Sequence, residues 1–472
     1  MLHLYSHNGI NIVLDVESGS VHVLEPAAYE LCRLISDACD GDSADKKATP
    51  ESVFTNSACP SVFRDKLISV FSFDKTDIED AYSELKELYE DEMLFAKRDY
   101  AINLPEDYPV KALCLHISHD CNLRCKYCFA EGGDFGHGRK NMPFEVAKKA
   151  IDFVIERSGT RHNLEVDFFG GEPLINFDVV KKTVEYARSI EKQHNKNFRF
   201  TITTNGILLN DKITDYINRE MSNVVLSLDG RQEINDSVRY DVSGKGCYSR
   251  IVPKFKKLVA NRKGKDYYVR GTFTSQNLDF ASDVQHIRSL GFDQVSVEPV
   301  VLDSNDPLAI KEEHLERIFS EYDLLTDNLA DIRAKGEFFN FFHFMIDLEQ
   351  GPCVIKRVKG CGCGTEYVAI TPDGDIYPCH RFVGMDEFKL GNVMDGFDTK
   401  KELVDYFKQS TVLNKPVCED CWAKYYCSGG CAANNYNCHR DILKPHEISC
   451  KMERKRIECA IYLKALEAIA DE

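Results

Sequence analysis

The residues with the clearest chemical potential lie in the stretch CNLRCKYC, which places three cysteines at Cys121, Cys125 and Cys128. Thiolates this close can hold three corners of a cubane four-iron cluster and leave the fourth iron free for another ligand. A zinc site would need a fourth ligand, for which His116 and His119 are the local candidates. A disulfide role is disfavoured because three cysteines within eight residues cannot all pair with one another. The spacing therefore favours a three-ligand iron–sulfur cluster.

An alternation of strands and helices positions these cysteines. From Ala112 onwards, apolar β-rich runs are separated by helical stretches, and each repeat spans about 30 residues or more. The runs are Ala112–Ser118, Leu164–Phe169, Phe198–Thr203, Asn223–Leu228, Tyr268–Thr274 and Gln294–Val300. This pattern predicts an α/β fold with a parallel sheet curled into a partial (β/α)6 barrel of the TIM type.

Distinctive residues follow the predicted strands, and strand ends are where such barrels carry their chemistry. Besides the three cysteines they are Gly170-Gly171-Glu172-Pro173, Thr204-Asn205-Gly206, Asp229-Gly230 and Glu298-Pro299. Taken alone, a Gly-Gly-Glu-Pro stretch is more often a tight turn than a site. The repeated coincidence of motif and strand end predicts one site at one end of the barrel.

A second group of cysteines follows a predicted helical segment, Ile310 to Lys335. The run Cys418-x2-Cys421-x5-Cys427-x3-Cys431 has gaps that suit the ligands of a small metal centre. Further candidates are Cys353, Cys361, Cys363, Cys379 and Cys450. The alternative is a structural zinc in a ribbon-like subdomain.

The C-x3-C-x2-C spacing, with Tyr127 just before the last cysteine, resembles the signature of radical S-adenosylmethionine (SAM) enzymes. The resemblance extends over roughly Ala112 to Cys450. It implies a catalytic [4Fe–4S] cluster on Cys121, Cys125 and Cys128, with SAM chelating the open iron through its amino and carboxylate groups. One electron from the cluster would then cleave SAM to methionine and a 5′-deoxyadenosyl radical.

The resemblance makes the residues at the strand ends candidate SAM contacts. Gly170 and Gly171 would let backbone carbonyls approach the SAM ammonium, and Glu172 would offer a charged acceptor in the same stretch, which ends at Pro173. Arg239 is the candidate partner of the SAM carboxylate, the alternative being an ordinary solvated charge. The other candidates are Tyr127 for the adenine, Ser227 and Asp229 for ribose or methionine atoms, and Asn205.

The C-terminal cysteines resemble the SPASM extension of radical SAM enzymes. This resemblance implies two auxiliary [4Fe–4S] clusters and therefore three clusters in all. It assigns one cluster to Cys418, Cys421, Cys427 and Cys450, and the other to Cys361, Cys379 and Cys431. The fourth ligand of the second cluster stays open between Cys353 and an iron that binds a substrate thiolate. Cys363 is an alternative to Cys361, because it also satisfies the spacing to Gly374.

Longer stretches resemble the maturases of six-cysteine peptides, the SCIFF or ranthipeptide type. They are CLHISHDCNLRCKYCFA, NGINIVLDVESGSVHVLE and EYVAITPDGDIYPCH, and Cys363 departs from the pattern by replacing a small residue. The resemblance implies thioether links from Cys sulfur to a carbon of another residue in a ribosomally made, Cys-rich precursor peptide (a RiPP). A flavodoxin- or ferredoxin-like protein would supply the electron.

Two alternative functions are kept beside the thioether-forming enzyme. The runner-up is an anaerobic sulfatase-maturing enzyme, which oxidises one Cys or Ser to formylglycine. A non-catalytic electron-transfer or structural cluster protein belongs to a different class, and it would leave the Gly170–Pro173 stretch and the barrel unexplained.

The part of the chain before the barrel differs in composition. Three short strands, His3–Tyr5, Asn11–Val16 and Val21–Leu24, are predicted with helices at Ala27–Ser36 and Asp77–Phe95 and a polar, mobile connection at Asp40–Ala58. The pattern resembles a winged-helix module of the kind that binds the leader of a precursor peptide. The alternative is a packing cap for the rest of the chain.

Bulk properties exclude some classes of function. The net charge of −17 argues against a general nucleic-acid binder, and no apolar run or signal peptide indicates a membrane or export. The 19 cysteines suit a reducing cytoplasm. The predicted parts are a winged-helix leader-binding (RRE-like) domain at 1–100, a radical SAM partial barrel at 108–310, a helical bridge at 311–352 and a SPASM domain at 353–472.

Overall fold

The computed structural model describes residues 1–40, 48–97, 102–348, 354–396 and 398–471. Within them the strands are β1 Leu2–His7, β2 Ile10–Asp15, β3 Val21–Leu24, β4 Ala112–Ser118, β5 Leu123–Cys125, β6 Asn163–Gly170, β7 Asn197–Thr204, β8 Asn223–Ser227, β9 Arg239–Asp241, β10 Tyr268–Phe273, β11 Gln294–Pro299, β12 Asn340–Phe341, β13 Tyr367–Ile370, β14 Asp375–Tyr377 and β15 Gly391–Asn392.

The helices of the same residues are α1 Pro26–Asp40, α2 Pro50–Phe54, α3 Ser61–Phe71, α4 Lys75–Glu90, α5 Phe144–Arg157, α6 Phe177–Ile190, α7 Asp211–Glu220, α8 Gln232–Val238, α9 Tyr248–Ala260, α10 Phe280–Ser289, α11 Leu315–Ala334, α12 Val354–Lys359, α13 Lys401–Lys408, α14 Pro416–Glu419, α15 Lys424–Cys427, α16 Ala432–His439 and α17 Glu447–Asp471. No helix of the described residues combines the length and the apolar character needed to span a bilayer.

The main sheet has ten strands in the order β12-β11-β10-β8-β7-β6-β4-β13-β14-β15. Its six central strands run parallel and follow one another in chain order from β4 to β11, which confirms the predicted α/β pattern. The sequence did not predict the extension beyond β4. There β13 pairs in parallel with β4, and the antiparallel strands β14 and β15 continue the sheet.

Burial explains why these segments form strands. Every residue of β4 is buried, and β6 and β7 alternate between buried and more exposed positions, as expected for strands with helices packed on one face. Phe168 of β6 and Phe200 of β7 stack with ring centroids 5.7 Å apart inside the core. Apolar residues of helices α5, α6, α9 and α10 complete this core.

The N-terminal part forms its own three-stranded antiparallel sheet, ordered β1-β2-β3, with helices α1 to α4. Its predicted strands and its two predicted helices are present. The connection predicted over Asp40–Ala58 is wrong where α2 forms, because Thr49 caps that helix by accepting a hydrogen bond from the Ser52 amide. Residues 41–47 of that connection lie outside the described residues, and the winged-helix assignment stays a prediction.

Strand β2 joins the N-terminal sheet to the C-terminal part of the chain. Val13 packs into the core of the N-terminal helices, whereas Ile12 and Leu14 point to the other face and pack in one apolar cluster with Ala423 and Ile457. Alternation of side chains along a strand accounts for the two faces. The N-terminal sheet is therefore packed on both sides.

Polar contacts reinforce this junction next to the C-terminal cysteines. Lys424 Nζ donates to Glu17 Oε1 at 2.8 Å, and both side chains are nearly buried. The His3 ring stacks on Trp422 with centroids 3.6 Å apart. The segment from Cys421 to Cys427 is thereby held directly against the N-terminal sheet.

Candidate active site and cluster sites

The loop after β4 carries Cys121, Cys125 and Cys128. Its short strand β5 pairs antiparallel with β9, which sets Cys125 opposite Arg239. The Leu123 amide donates to Cys121 Sγ at 3.4 Å, and Asn205 Nδ2 lies 3.7 Å from the same sulfur. Burial raises the pKa of Cys121 to about 11 and that of Cys125 to about 12. These thiols would become thiolates only with a metal or cluster to compensate the burial.

All three cysteines line one cavity of about 230 Å³ at the carboxyl ends of the parallel strands. Residues from all six central strands or from the loops after them face this cavity. Because neighbouring strands lie about 4.8 Å apart, a flat sheet could not bring both of its edges to one small cavity. The central strands are therefore curled, as a partial barrel requires.

The sequence-predicted SAM contacts fall around this cavity. Those that line it are Tyr127, Gly170, Gly171, Glu172, Asn205, Ser227, Asp229 and Arg239. Pro173 is buried at the start of a short 3-10 helix and is not part of the cavity lining. One cavity thus gathers sequence-predicted residues that are up to 118 positions apart in the chain, from Cys121 to Arg239.

The two glycines of Gly170-Gly171 meet the cysteine loop rather than open space. A Cβ on Gly170 would lie 2.3 Å from the Ser118 carbonyl oxygen, and one on Gly171 would lie 2.3 Å from that of Asp120. The Gly171 and Glu172 amides donate to these two carbonyls, each at 2.8 Å. Glycine is required at both positions because the end of β6 is hydrogen-bonded so closely to the cysteine loop that no side chain fits between them.

The Glu172 carboxylate connects the ends of β6 and β7. Oε1 accepts from the Leu174 amide and the Thr204 hydroxyl, and Oε2 accepts from the Asn205 amide at 2.8 Å. Burial raises the pKa of Glu172 to about 7, although these hydrogen bonds oppose the shift. Each carboxylate oxygen can accept two hydrogen bonds, so Oε2 keeps one acceptor position for a ligand.

Tyr127, Asp229 and Arg239 form a buried polar group on the cavity wall. The Tyr127 hydroxyl donates to Asp229 Oδ2 at 2.6 Å and accepts from Arg239 Nη1 at 2.9 Å. Asp229 Oδ1 also accepts from the Thr272 amide and lies 3.8 Å from Arg239 Nη1. Arg239 Nε is buried without a hydrogen-bond partner among the described residues.

Three further cavity residues, Arg270, His380 and Arg381, escaped the sequence reasoning, whereas Glu298 was predicted only as a strand-end residue. Arg270 on β10 donates to both carboxylate oxygens of Glu298 on β11, at 3.0 and 2.6 Å. His380 and Arg381 reach the cavity from the loop after β14, and His380 packs against Phe129 and Phe169. The strand-end position of Glu298 was a usable signal. Nothing local marks His380 and Arg381, except that they directly follow Cys379.

The C-terminal cysteines separate into two groups. Cys418, Cys421, Cys427 and Cys450 together line a second cavity, of about 220 Å³. Burial raises the pKa of Cys427 to about 11, and the neighbouring Cys450 thiol adds to that shift. These four are the set that the SPASM resemblance assigns to one cluster.

The other group contains Cys361, Cys363, Cys379 and Cys431. Burial raises the pKa of Cys361 to about 11, with the nearby Cys431 and Cys379 thiols contributing, and Cys363 packs with Cys379 in one buried cluster. Cys353, the candidate for a fourth ligand, lies outside the described residues. The described residues thus supply four clustered thiols without it.

The cysteines of two of these sets line open spaces in the described part of the chain. Among the described residues, no three His, Cys, Asp or Glu side chains converge closely enough to hold one metal ion. A four-iron cubane is bulkier than an ion and keeps its thiolate ligands further apart, around a central space. The three- and four-cysteine walls of the two cavities provide such spaces.

Comparison with known proteins identifies two domain families in this chain. Residues 115–272 match the radical SAM superfamily, and residues 361–422 match the iron–sulfur cluster-binding domain named SPASM. The chain is 27% identical to a cysteine-type anaerobic sulfatase-maturating enzyme of Clostridium novyi, over 67% of this chain and 86% of that protein. It is 26% identical to the radical SAM cyclopropyl synthase TigE of Paramaledivibacter caminithermalis, over 68% of each chain.

Among solved structures, anSMEcpe with bound AdoMet is similar, with a TM-score of 0.63 and 20% identity. The match covers 77% of this chain and 99% of anSMEcpe, so it shows a shared fold and leaves about a quarter of this chain unmatched. These matches agree with the sequence motifs and with the arrangement of the strands. The chain contains a radical SAM domain followed by a SPASM iron–sulfur cluster-binding domain.

Proposed function

We propose that this protein is a radical SAM peptide maturase that forms thioether crosslinks in a ribosomally made, Cys-rich precursor peptide. The observation that carries the proposal is the position of the group formed by Cys361, Cys363, Cys379 and Cys431. His380 and Arg381, which directly follow Cys379, line the same cavity as Cys121, Cys125 and Cys128. A substrate in that cavity would lie between a SAM-binding centre and an auxiliary centre.

The residues of the cavity fit both a [4Fe–4S] cluster and SAM. Cys121, Cys125 and Cys128 would hold a [4Fe–4S] cluster, and Glu172 and Arg239 would offer an acceptor and a cation to the ends of SAM. When bound, the cluster and SAM supply one electron and a carbon-centred radical able to remove a hydrogen atom from a substrate carbon. The chain contributes apolar walls that exclude water and fixed polar groups that orient the ligands.

The net reaction identifies what is oxidised. A substrate thiol and a substrate C–H group lose one hydrogen each as the C–S bond forms, and SAM is the oxidant that becomes methionine and 5′-deoxyadenosine, with release of one proton. An external donor of the flavodoxin or ferredoxin type would supply the starting electron. Thioether formation therefore keeps the sulfur in the peptide, whereas conversion of Cys to formylglycine removes it.

Formylglycine formation is the second candidate function, because the relative from Clostridium novyi is named as a sulfatase-maturating enzyme. The additional part of this chain favours the peptide maturase. Nearly all of anSMEcpe is matched by about three quarters of this chain. A leader-binding role for the N-terminal sheet would explain the rest.

One incubation separates the candidate functions. Reconstituted protein would be mixed under anaerobic conditions with SAM, dithionite and the short Cys-rich peptide encoded beside its gene, where such a reading frame exists. A thioether-forming enzyme yields 5′-deoxyadenosine and a peptide that has lost two hydrogen atoms and one alkylatable thiol. An aldehyde trapped by a hydrazine would support formylglycine formation, and absence of 5′-deoxyadenosine would support a non-catalytic cluster protein.

Iron content tests the number of clusters. We expect near twelve irons per chain, the total of three four-iron cubanes. Cys363→Ala should lower the iron content and alter the spectrum of one auxiliary cluster, because Cys363 lies beside Cys379. Cys353→Ala is the matched control for the alternative fourth ligand, and a loss of iron in that variant alone would reject Cys363. Zinc on Cys418 to Cys431 with about four irons in all would reject the auxiliary clusters.

Leader binding by the N-terminal sheet can be tested on its edge strand β3. Backbone groups at a sheet edge can pair with an added peptide strand. Val23 of β3 is 42% exposed, and Val23→Asp is expected to weaken leader binding about tenfold or more, measured by fluorescence anisotropy. Val62→Asp, on the exposed face of α3 in the same part of the chain, is the control. Equal effects of the two variants would indicate a packing cap. Point variants are preferable to deletion, because deletion would expose the apolar partners of Ile12 and Leu14.

A further inference from the structure

Lys415 is a buried lysine between the two groups of C-terminal cysteines. Lys415 directly precedes helix α14, and only 1% of its surface is exposed. Its carbonyl oxygen accepts a hydrogen bond from the Cys418 amide at 2.8 Å. Its ammonium donates to the Gly429 carbonyl oxygen at 2.7 Å. Both ends of Lys415 are therefore attached to cysteine-bearing segments.

The position of Gly429 places the ammonium between two centres. Gly429 is two residues after Cys427, which lines the 220 Å³ cavity with Cys418, Cys421 and Cys450. It is also two residues before Cys431, which belongs to the group with Cys361 and Cys379. A short segment with one cysteine of each group thus carries the anchor of the lysine.

The positive charge of the Lys415 ammonium is not balanced by an acidic side chain among the described residues. Among the described residues, Lys415 Nζ donates to the Gly429 carbonyl and no carboxylate is among its charged neighbours, and burial of a charge without a counter-charge is costly. Burial lowers the pKa of Lys415, and the nearby Cys418, Cys427, Cys431 and Cys450 oppose that shift. The groups that oppose the shift are cysteines of both groups, whose thiols become negative thiolates when they bind a cluster.

We infer that Lys415 is a shared counter-ion of the two auxiliary clusters, which raises the reduction potential of both. The inference rests on the auxiliary clusters of the proposed function. A four-iron cluster with four thiolate ligands is negatively charged, and one-electron reduction adds a further negative charge. A buried ammonium stabilises the reduced form more than the oxidised form, because attraction grows with the charge and is weakly screened there.

The test is an anaerobic redox titration of the full-length, reconstituted chain, followed by electron paramagnetic resonance. Cys121, Cys125 and Cys128 are replaced by Ala in every sample, so that only auxiliary clusters contribute signals. Lys415→Met is expected to lower the equilibrium constant for reduction about tenfold or more, a shift of about 59 mV to more negative potential for a one-electron couple. Lys415→Gln, which keeps a hydrogen-bond donor for Gly429 but has no charge, should shift the potentials similarly.

Lys444→Met is the matched control, because Lys444 lines the same cavity as the four cysteines but is exposed. Water and salt screen its charge, so this variant should leave the potentials near those of the parent. The inference is overturned if Lys415→Met keeps the parent potentials, if Lys444→Met shifts them equally, or if Lys415→Gln restores them.

The iron content of each variant separates loss of an auxiliary cluster from a change in its reduction potential. If the neutral variants lose their auxiliary iron, Lys415→Arg, which keeps the charge, should retain it, and loss of iron in Lys415→Arg as well would overturn the inference. A parent chain without auxiliary iron would instead contradict the proposed function. Full auxiliary iron with unchanged potentials would contradict only the role of Lys415.

Discussion

Replacing Cys121, Cys125 and Cys128 together with Ala is expected to abolish 5′-deoxyadenosine formation and to remove about four irons per chain. The three thiols share one loop and one cavity, so no other described cysteine group can take over their cluster. The measurements are iron content and chromatography of the products after incubation with SAM and dithionite. The auxiliary iron, about eight atoms per chain, should remain because its ligands lie on other segments.

The control for this triple variant is Cys438→Ala. Cys438 is exposed and lies outside all three cysteine groups, so its loss should change neither iron content nor SAM cleavage. Persistent 5′-deoxyadenosine formation by the triple variant would show that the SAM-cleaving centre has been assigned to the wrong cysteines.

Arg239→Met should have the second largest effect. Asp229 is 1% exposed, and loss of the guanidinium would leave its carboxylate buried with hydrogen bonds but without a cation. Removing one partner of a buried ion pair costs about 3–5 kcal/mol. The same change removes the proposed cation for the SAM carboxylate. We therefore expect a lower midpoint of thermal unfolding and a marked loss of SAM affinity.

A second substitution separates the two consequences. Adding Asp229→Asn to Arg239→Met should recover much of the stability, because a neutral amide is cheaper to bury, but should not recover SAM binding. Hydrogen exchange of amides near β8 and β9 would localise the stability change. Arg219→Met, in an exposed pair with Glu220, is the control and should alter stability by less than about 0.5 kcal/mol. A native-like Arg239→Met variant would contradict this account of the buried group.

Charge and packing give the N-terminal sheet two roles in the proposed function. Residues 1–100 carry 20 acidic and 9 basic side chains, so the leader that binds there should be basic and binding should weaken with salt. The same sheet packs against the segment from Cys421 to Cys427 through Glu17 and His3. Recognition of the peptide and support of an auxiliary cluster site would thus share one element.

Local periodicity and spacing made much of this protein predictable. The predicted apolar runs became β4, β6, β7, β8, β10 and β11. Each run is continuous in sequence, so its pattern of apolar residues could be recognised locally. The same holds for the cysteine loop, whose three ligands lie within eight residues. The residues after the strands could be placed at one end of the sheet because parallel strands present their carboxyl ends together.

Contacts between distant segments were decided only by the tertiary structure. His380 and Arg381 reach the cavity because β13 pairs with β4, a register that no local pattern encodes. The spacing to Gly374 could not distinguish Cys363 from Cys361 as a ligand. Only the tertiary structure showed that Cys363 lies with Cys361 and Cys379. The bonds of Glu172 and the shared position of Lys415 likewise depend on strand ends and loops meeting across the fold. The sequence by itself determined the strands, the cysteine spacing and the end of the sheet that carries the site, whereas long-range pairing decided which distant side chains complete it.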